Sequence, residues 1–318
     1  MQVGRFGMLL FSVGFLVSIS PGVLGEGYPT KPIRLLTADV GGNQDLLARL
    51  VAQGIAIPLG KPVVVENRPA AIYGEIAAKA SPDGYSMVLG GTDLMFAHLT
   101  RSTTWDPVRD FAPVSSIDRK LYVLVVDPSL PVQSVKQLID LAKTKPGYLN
   151  YASGPTGGGT QIAAELFKSM AGINIEGVSY KGGGPALNAV AGGEVQLTFT
   201  SADPKPFMKS GKLRVLAVTS AEPSILYPGI PTVAATGLPG YELTAIDAVW
   251  MPAGTPGAII SRINHEIVRV LNSADMQARF LASGAEAAPS SPSELAIRVK
   301  EDIAKVGKLI REAGIKMQ

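Results

Sequence analysis

Two stretches decide the fold. Pro32-Ile33-Arg34-Leu35-Leu36 leads into Asp39-Val40-Gly41-Gly42-Asn43-Gln44-Asp45. Tyr148-Leu149-Asn150-Tyr151-Ala152-Ser153 leads into Gly154-Pro155-Thr156-Gly157-Gly158-Gly159-Thr160. In each, an apolar, strand-like run meets glycines that open a helical stretch, from Leu46 in the first and Gln161 in the second. A glycine loop at a helix start presents unpaired backbone N–H groups and the positive end of the helix dipole. Two such loops, far apart in the chain, predict two α/β lobes whose loops face a shared cleft.

Outward from these loops, strand-like and helix-like segments alternate, the order expected of mainly parallel sheets flanked by helices. Residues 33–36, 62–66 and 85–89 read as strands. Leu47, Leu50, Val51 and Ile55 give 46–57 a helical apolar face. Residues 121–126, stopped by Asp127-Pro128, form a candidate crossing between lobes. Ser134 with Gln137, and Ser291-Pro292-Ser293-Glu294, are capping boxes. Residues 175–179, 195–200 and 213–219 read as further strands, and 245–250 as a strand returning to the first lobe. Thr255 and Pro256 are expected as N-cap and first-turn residue of a helix lined by Ile259, Ile263, Ile267 and Leu271. Gly314 is expected to close the last helix. The expected organisation is an export signal over 1–25, a first lobe from 26–126 and 243–318, and a second lobe over 127–242. A chain that leaves a lobe and returns makes two connections, the usual basis of a hinge.

The export signal rests on Arg5, the apolar run 8–19, the break at Pro21-Gly22 and small residues at Val23-Leu24-Gly25. The run is too short for a typical membrane span; an uncleaved anchor is the alternative. Cleavage leaves about 290 residues, room for two domains. With no cysteine, disulfides, thiolate metal sites and a cysteine nucleophile are excluded. Lys and Arg number 29 against 26 acids, and no polybasic block or basic-aromatic pattern points to nucleic acid or a membrane surface. Gly157-Gly158-Gly159-Thr160 lacks both the Walker lysine and the dinucleotide spacing. His98 and His265 form no zinc motif, and no nucleophile elbow is present. Binding therefore outranks chemistry, with no enzyme activity, cofactor or metal expected.

The chain resembles the periplasmic receptors of tripartite tricarboxylate transporters, the Bug family. The resemblance is collinear over nearly all of the mature chain. It is carried by Tyr28-Pro29-Thr30-Lys31-Pro32-Ile33-Arg34, Glu66-Asn67-Arg68-Pro69, Pro82-Asp83-Gly84-Tyr85 and Trp105-Asp106-Pro107-Val108-Arg109-Asp110-Phe111. Further on it includes Leu149-Asn150-Tyr151-Ala152-Ser153-Gly154, Tyr180-Lys181-Gly182-Gly183-Gly184-Pro185, Gly237-Leu238-Pro239-Gly240-Tyr241-Glu242 and Pro252-Ala253-Gly254-Thr255-Pro256. The resemblance implies a two-lobed, type II-like periplasmic binding protein fold closing on a small ligand. The ligand, in most members a carboxylate held by loop amides, is passed to a membrane permease.

Departures from the family pattern fall at the ligand loops. Thr37-Ala38-Asp39-Val40 replaces a proline-rich run, and Ala70-Ala71-Ile72-Tyr73-Gly74 replaces a longer glycine-rich loop. Gln161 stands where histidine is frequent, Thr200 where Asp is frequent, and Ile246-Asp247 where aromatics are frequent. Asp39 and Asp247 add negative charge near the ligand. Either they meet a ligand bearing an ammonium or other donors, or they cap local turns. Tyr73 either stacks on ligand or packs. The expected cleft residues are Asp39, Gly41, Gly42, Asn43, Tyr73, Thr92, Ser153, Thr156, Gly158, Gly159, Thr160, Gln161, Asp203 and Asp247. Amides near Gly41 and Gly158 are expected to take an anionic group, and Asp39 or Asp247 a donor. Asp45 is expected to cap the first helix. The expected protein is a monomeric solute receptor in the periplasm whose partner is a permease. A sensor protein as partner, or a periplasmic enzyme, are the other readings.

Overall fold

The computed structural model describes residues 27–154 and 158–312; the expected export signal, Thr156 and Gly314 lie outside the described residues. In chain order the strands are β1 (Ile33–Thr37), β2 (Val63–Asn67), β3 (Ser86–Gly90), β4 (Phe111–Ser116), β5 (Asp118–Leu121), β6 (Val123–Val126) and β7 (Asn150–Ser153). They continue as β8 (Glu176–Ser179), β9 (Leu197–Thr200), β10 (Arg214–Val218), β11 (Thr244–Ala245), β12 (Ala248–Pro252) and β13 (Glu286–Ala287).

These strands build two five-stranded sheets of like topology, ordered β2-β1-β3-β12-β4 and β8-β7-β9-β6-β10. In each sheet four strands run one way and a single strand opposes them, β12 in the first and β6 in the second. The opposing strand is in both cases the first that the chain lays down after crossing from the other sheet. The crossings themselves are β5 on the outward path and β11 on the return, and they pair antiparallel, Thr244 with Leu121 and Ala245 with Lys120. β13 pairs with the other edge of β5. The crossing expected at 121–126 is thus corrected. Val123–Val126 is fully buried within the second sheet, and the charged strand Asp118–Leu121 makes the passage. A four-residue apolar run buried on both faces belongs inside a sheet, whereas alternation of buried Asp118 with half-exposed Arg119 suits a strand shared between layers.

The helix Asn43–Leu59 starts at the first glycine loop. It buries Leu47, Leu50, Val51, Ile55 and Leu59 and ends at Gly60, whose φ of 67° is the left-handed geometry of a helix stop. Its partner is the helix Gly257–Leu271. Gly54 makes the approach possible, since a Cβ there would run into Val270. Each fully buried Leu or Ile contributes about 1.5–3 kcal/mol to that contact. Gly257–Leu271 is not capped by Thr255 as expected. The Thr255 hydroxyl donates to Pro252 O at 2.7 Å and closes the preceding turn, leaving Pro256 at the N-cap. The last helix, Pro292–Glu312, has the predicted reciprocal box. Ser291 Oγ accepts from Glu294 N, and Ser291 N donates to Glu294 Oε2 at 2.8 Å. This helix packs on β4 and on Gly159–Ala171 of the second lobe, so it spans the seam.

Candidate functional site

Both glycine stretches open helices, as the sequence predicts. The helices Asn43–Leu59 and Gly159–Ala171 begin at the glycines themselves, with Gly42 and Gly158 as N-caps and no side-chain cap on either. Helix geometry leaves their first-turn N–H groups without intrahelical acceptors. Asp45 takes the N–H of Gly41 at 3.0 Å, receives Asn67 Nδ2 at 3.0 Å and pairs with Arg49 at 2.9 Å. Burial pushes the Asp45 carboxyl up, but these three partners outweigh it and hold it below the usual range. Asp45 therefore ties down the loop ahead of the helix and does not cap the helix as expected, since the N–H it takes belongs to Gly41, before the N-cap Gly42. In the second loop Thr160 Oγ1 accepts from Gly154 N at 2.8 Å, and the Ser153 hydroxyl donates to Gly154 O. Ser153 and Thr160 are buried supports of the loop. Gly182 and Gly183 lie beside Gly154, and the Gln161 side chain hydrogen-bonds Tyr151.

Between the loops lies a polar network that the sequence reading did not assemble. Gln44, one residue into the first helix, donates through Nε2 to Asp93 Oδ1 (2.8 Å) and Asp247 Oδ1 (3.1 Å). The Tyr73 hydroxyl donates to Asp93 Oδ2 at 2.6 Å. Lys120 donates to Asp247 Oδ2 and lies 3.5 Å from Asp118 Oδ2. The N–H of Asp247 donates to Asp118 Oδ1 at 2.6 Å. Burial, then the Asp247 carboxylate, push Asp118 up to about 7 against the pull of Lys120. Burial also works against the charge on Lys120, but Asp247 and Asp118 outweigh it and hold the ammonium above its usual range. Burial pushes the nearby Tyr122 hydroxyl up to about 12.

Glycines make room for this network. A Cβ on Gly91 would strike Asp247 Oδ1 and come within 2.9 Å of Ile246 O, and one on Gly90 would sit 2.6 Å from the Tyr73 hydroxyl. A Cβ on Gly159 would collide with the Tyr122 hydroxyl.

Lys120 carries the network to the cavity between the lobes. It lines a cavity of about 530 Å³ with Asn43 from the first loop and with Ser201, Asp203, Lys205 and Tyr227 from the second lobe. Thr92 meets Gly159 and Tyr122 across a much smaller gap of about 20 Å³ at the seam. The structure thus brings Asn43 to Asp203, Thr92 to Gly159, and Gln44 to Asp247. Two expectations are corrected. Tyr73 does not offer its ring to a ligand: it is 1% exposed, and its hydroxyl is spent on Asp93. Asp247 is not an unpaired carboxylate: it is 2% exposed and bound by Lys120 and Gln44. Asp39, exposed on the loop, accepts from Ala70 N at 3.4 Å, the turn-tying role weighed as its alternative. Gln44, Asp93, Asp118 and Lys120 went unread. The available signals were a glycine pair at the end of a strand, Gly90-Gly91, and a charged triplet, Asp118-Arg119-Lys120, between Ile117 and Leu121.

Two like-folded lobes, each presenting a glycine-capped helix start and sharing a polar cavity, define a two-lobed solute-binding protein. The family model for the tripartite tricarboxylate transporter family receptor matches residues 47–315. BugT of Bordetella pertussis is 31% identical over 321 residues, covering 98% of each chain. The R. palustris protein Rpa4515, solved with adipate, is 34% identical with a TM-score of 0.73, covering 92% of this chain and all of that one. MatC (Rpa3494) from Rhodopseudomonas palustris, solved with malate, is 25% identical with a TM-score of 0.69, covering 89% of this chain and 100% of its own. The chain belongs to the tripartite tricarboxylate transporter receptor family. It is a ligand-binding receptor of that transport system, and the receptors of this family are periplasmic. No helix among the described residues is long and apolar enough to cross a membrane.

Proposed function

We propose that this receptor captures a small carboxylate of low net negative charge, a monocarboxylate or an amino acid, in the cavity floored by Lys120. The observation that carries this reading is the neutralisation of Lys120. Its ammonium is shared by Asp247 and Asp118, so an incoming anion gains little from it; the cavity's other lysine, Lys205, lies over the Tyr227 ring and is offset by Asp203 on the same wall. The first-turn amides of Asn43–Leu59, whose Asn43 lines the cavity, remain to hold one carboxylate, and closure of the lobes would bring those of Gly159–Ala171 to it. A second or third anionic group would meet Asp203 on the cavity wall and the excess acid charge behind Lys120. The residues of this reading are Gly41, Gly42, Asn43, Gly158, Gly159, Lys120 and Asp203, with Ser153, Thr160 and Gln161 as supports of the second loop.

The paired crossings β5 and β11 serve as the hinge, and solute shifts the population toward the closed form through contacts made better there. Residues 1–25 direct export to the periplasm and are removed. The closed monomer hands its solute, unchanged, to a membrane permease. A panel of carboxylates scored by thermal shift and calorimetry tests the charge reading. Monocarboxylates or amino acids are expected to raise the melting temperature more than adipate or malate do, and citrate least; a ligand at a hundred times its Kd adds about 2.7 kcal/mol. Tight citrate binding with no response to monocarboxylates would refute it.

A further inference from the structure

We propose that Asp118 is a specificity-determining residue: ionised, it gives the Asp118–Asp247–Lys120 cluster a net negative charge that turns multiply charged anions away from the cavity, and protonated, it leaves the cluster neutral and admits them. The inference rests on the reading of the Lys120 cavity as the solute site.

Asp118 sits on the crossing strand, 0% exposed, with its two oxygens differently engaged. Oδ1 is fixed by the N–H of Asp247. Oδ2 has no hydrogen-bond partner among the described residues and faces the Lys120 ammonium at 3.5 Å. Among the described residues, that ammonium is the one cationic group that both contacts Asp118 and lines the cavity. The other charged groups around Asp118 among the described residues are already paired. On β13, Glu286 takes Arg119 at 2.7 Å. Arg298 and Glu294, which share a cavity of about 210 Å³ with Asp118, are engaged by Asp302 and Ser291. Asp93 reaches the group only through Gln44. The sum over Asp118, Asp247 and Lys120 is therefore one negative charge with Asp118 ionised and none with it protonated. Burial and Asp247 bring that change into the neutral range, up to about 7.

The expected effect is about tenfold in the affinity of a dianion, the size of one unit charge removed at close range in a half-screened site. The probe is adipate, titrated calorimetrically into the mature protein between pH 6 and pH 8.5. Wild type is expected to bind it about tenfold more weakly at the upper end. Asp118→Asn, which keeps the acceptor for the Asp247 N–H, is expected to hold the low-pH affinity throughout. A flat wild-type profile, an Asp118→Asn profile as steep as wild type, or no adipate binding by Asp118→Asn at millimolar concentration would each overturn the proposal. The double variant Asp118→Asn/Lys120→Met, which leaves no unpaired buried acid at 118, separates the two readings. If it binds adipate as well as Asp118→Asn does, the Lys120 cavity is not the solute site. If it loses adipate while Asp118→Asn behaves as wild type, the cavity stands and only the role of Asp118 falls.

Discussion

Replacing Lys120 with methionine should cost this protein more stability than the loss of a surface lysine, and the cost should depend on pH. The Lys120 side chain is 23% exposed, but its partners Asp118 and Asp247 are buried. At 3.5 Å a unit pair is worth ~5 kcal/mol at an effective dielectric of about 20. Partial exposure of Lys120 and the apolar contacts of methionine reduce this. Removing one partner of a buried ion pair generally costs about 3–5 kcal/mol, because the other charge is left uncompensated. A loss of about 3–4 kcal/mol at pH 8 is therefore expected from equilibrium urea unfolding. The sign of the pH dependence follows from Asp118, whose folded pKa lies above its unfolded value. The stability linked to its protonated form is complete below the unfolded value near 4, and it is lost as pH rises toward the folded value of about 7. Without Lys120 the buried acids accept protons more readily, so the gap between wild type and variant should narrow at pH 5.5. Adding Asp118→Asn to Lys120→Met should restore part of the loss at pH 8. A loss below about 1 kcal/mol at pH 8, or an equal loss at both pH values, would refute the view that Lys120 holds together a buried acid cluster.

Two further substitutions probe what supports the site. Gly91→Ala drives a methyl group against Asp247 and Ile246 O, and an overpacking cost of about 1–3 kcal/mol should appear as a lower melting temperature with weaker carboxylate binding. An unchanged melting temperature would mean that the Asp247 network moves aside freely. Asp45→Asn removes the charge that orders the first loop through Gly41, Asn67 and Arg49, for an expected loss of about 1–2 kcal/mol at pH 7. Because the Asp45 carboxyl is held below its usual range, its stabilisation is present above the unfolded value and lost as pH falls through the folded one. The difference between wild type and Asp45→Asn should therefore close on acidification, and a constant difference across pH 3 to 7 would contradict the assigned role.

Local signals were legible in the chain alone. The two glycine loops, the apolar face of Asn43–Leu59, the reciprocal Ser291–Glu294 box and the alternation of strands and helices all report interactions within a few residues, where periodicity and capping chemistry are written directly. The acid–lysine cluster was not legible in the same way. Lys120 and Asp247 are 127 residues apart, Gln44 and Asp247 are 203 apart, and nothing in the neighbourhood of any of them encodes its partner. The same holds for Tyr73, whose position next to a shortened loop suggested a ligand contact until the fold turned its hydroxyl toward Asp93. Local sequence sets which groups can donate, accept or cap. Only the antiparallel meeting of β5 with β11, where the chain leaves one sheet and later returns, decides which charges are forced together away from water.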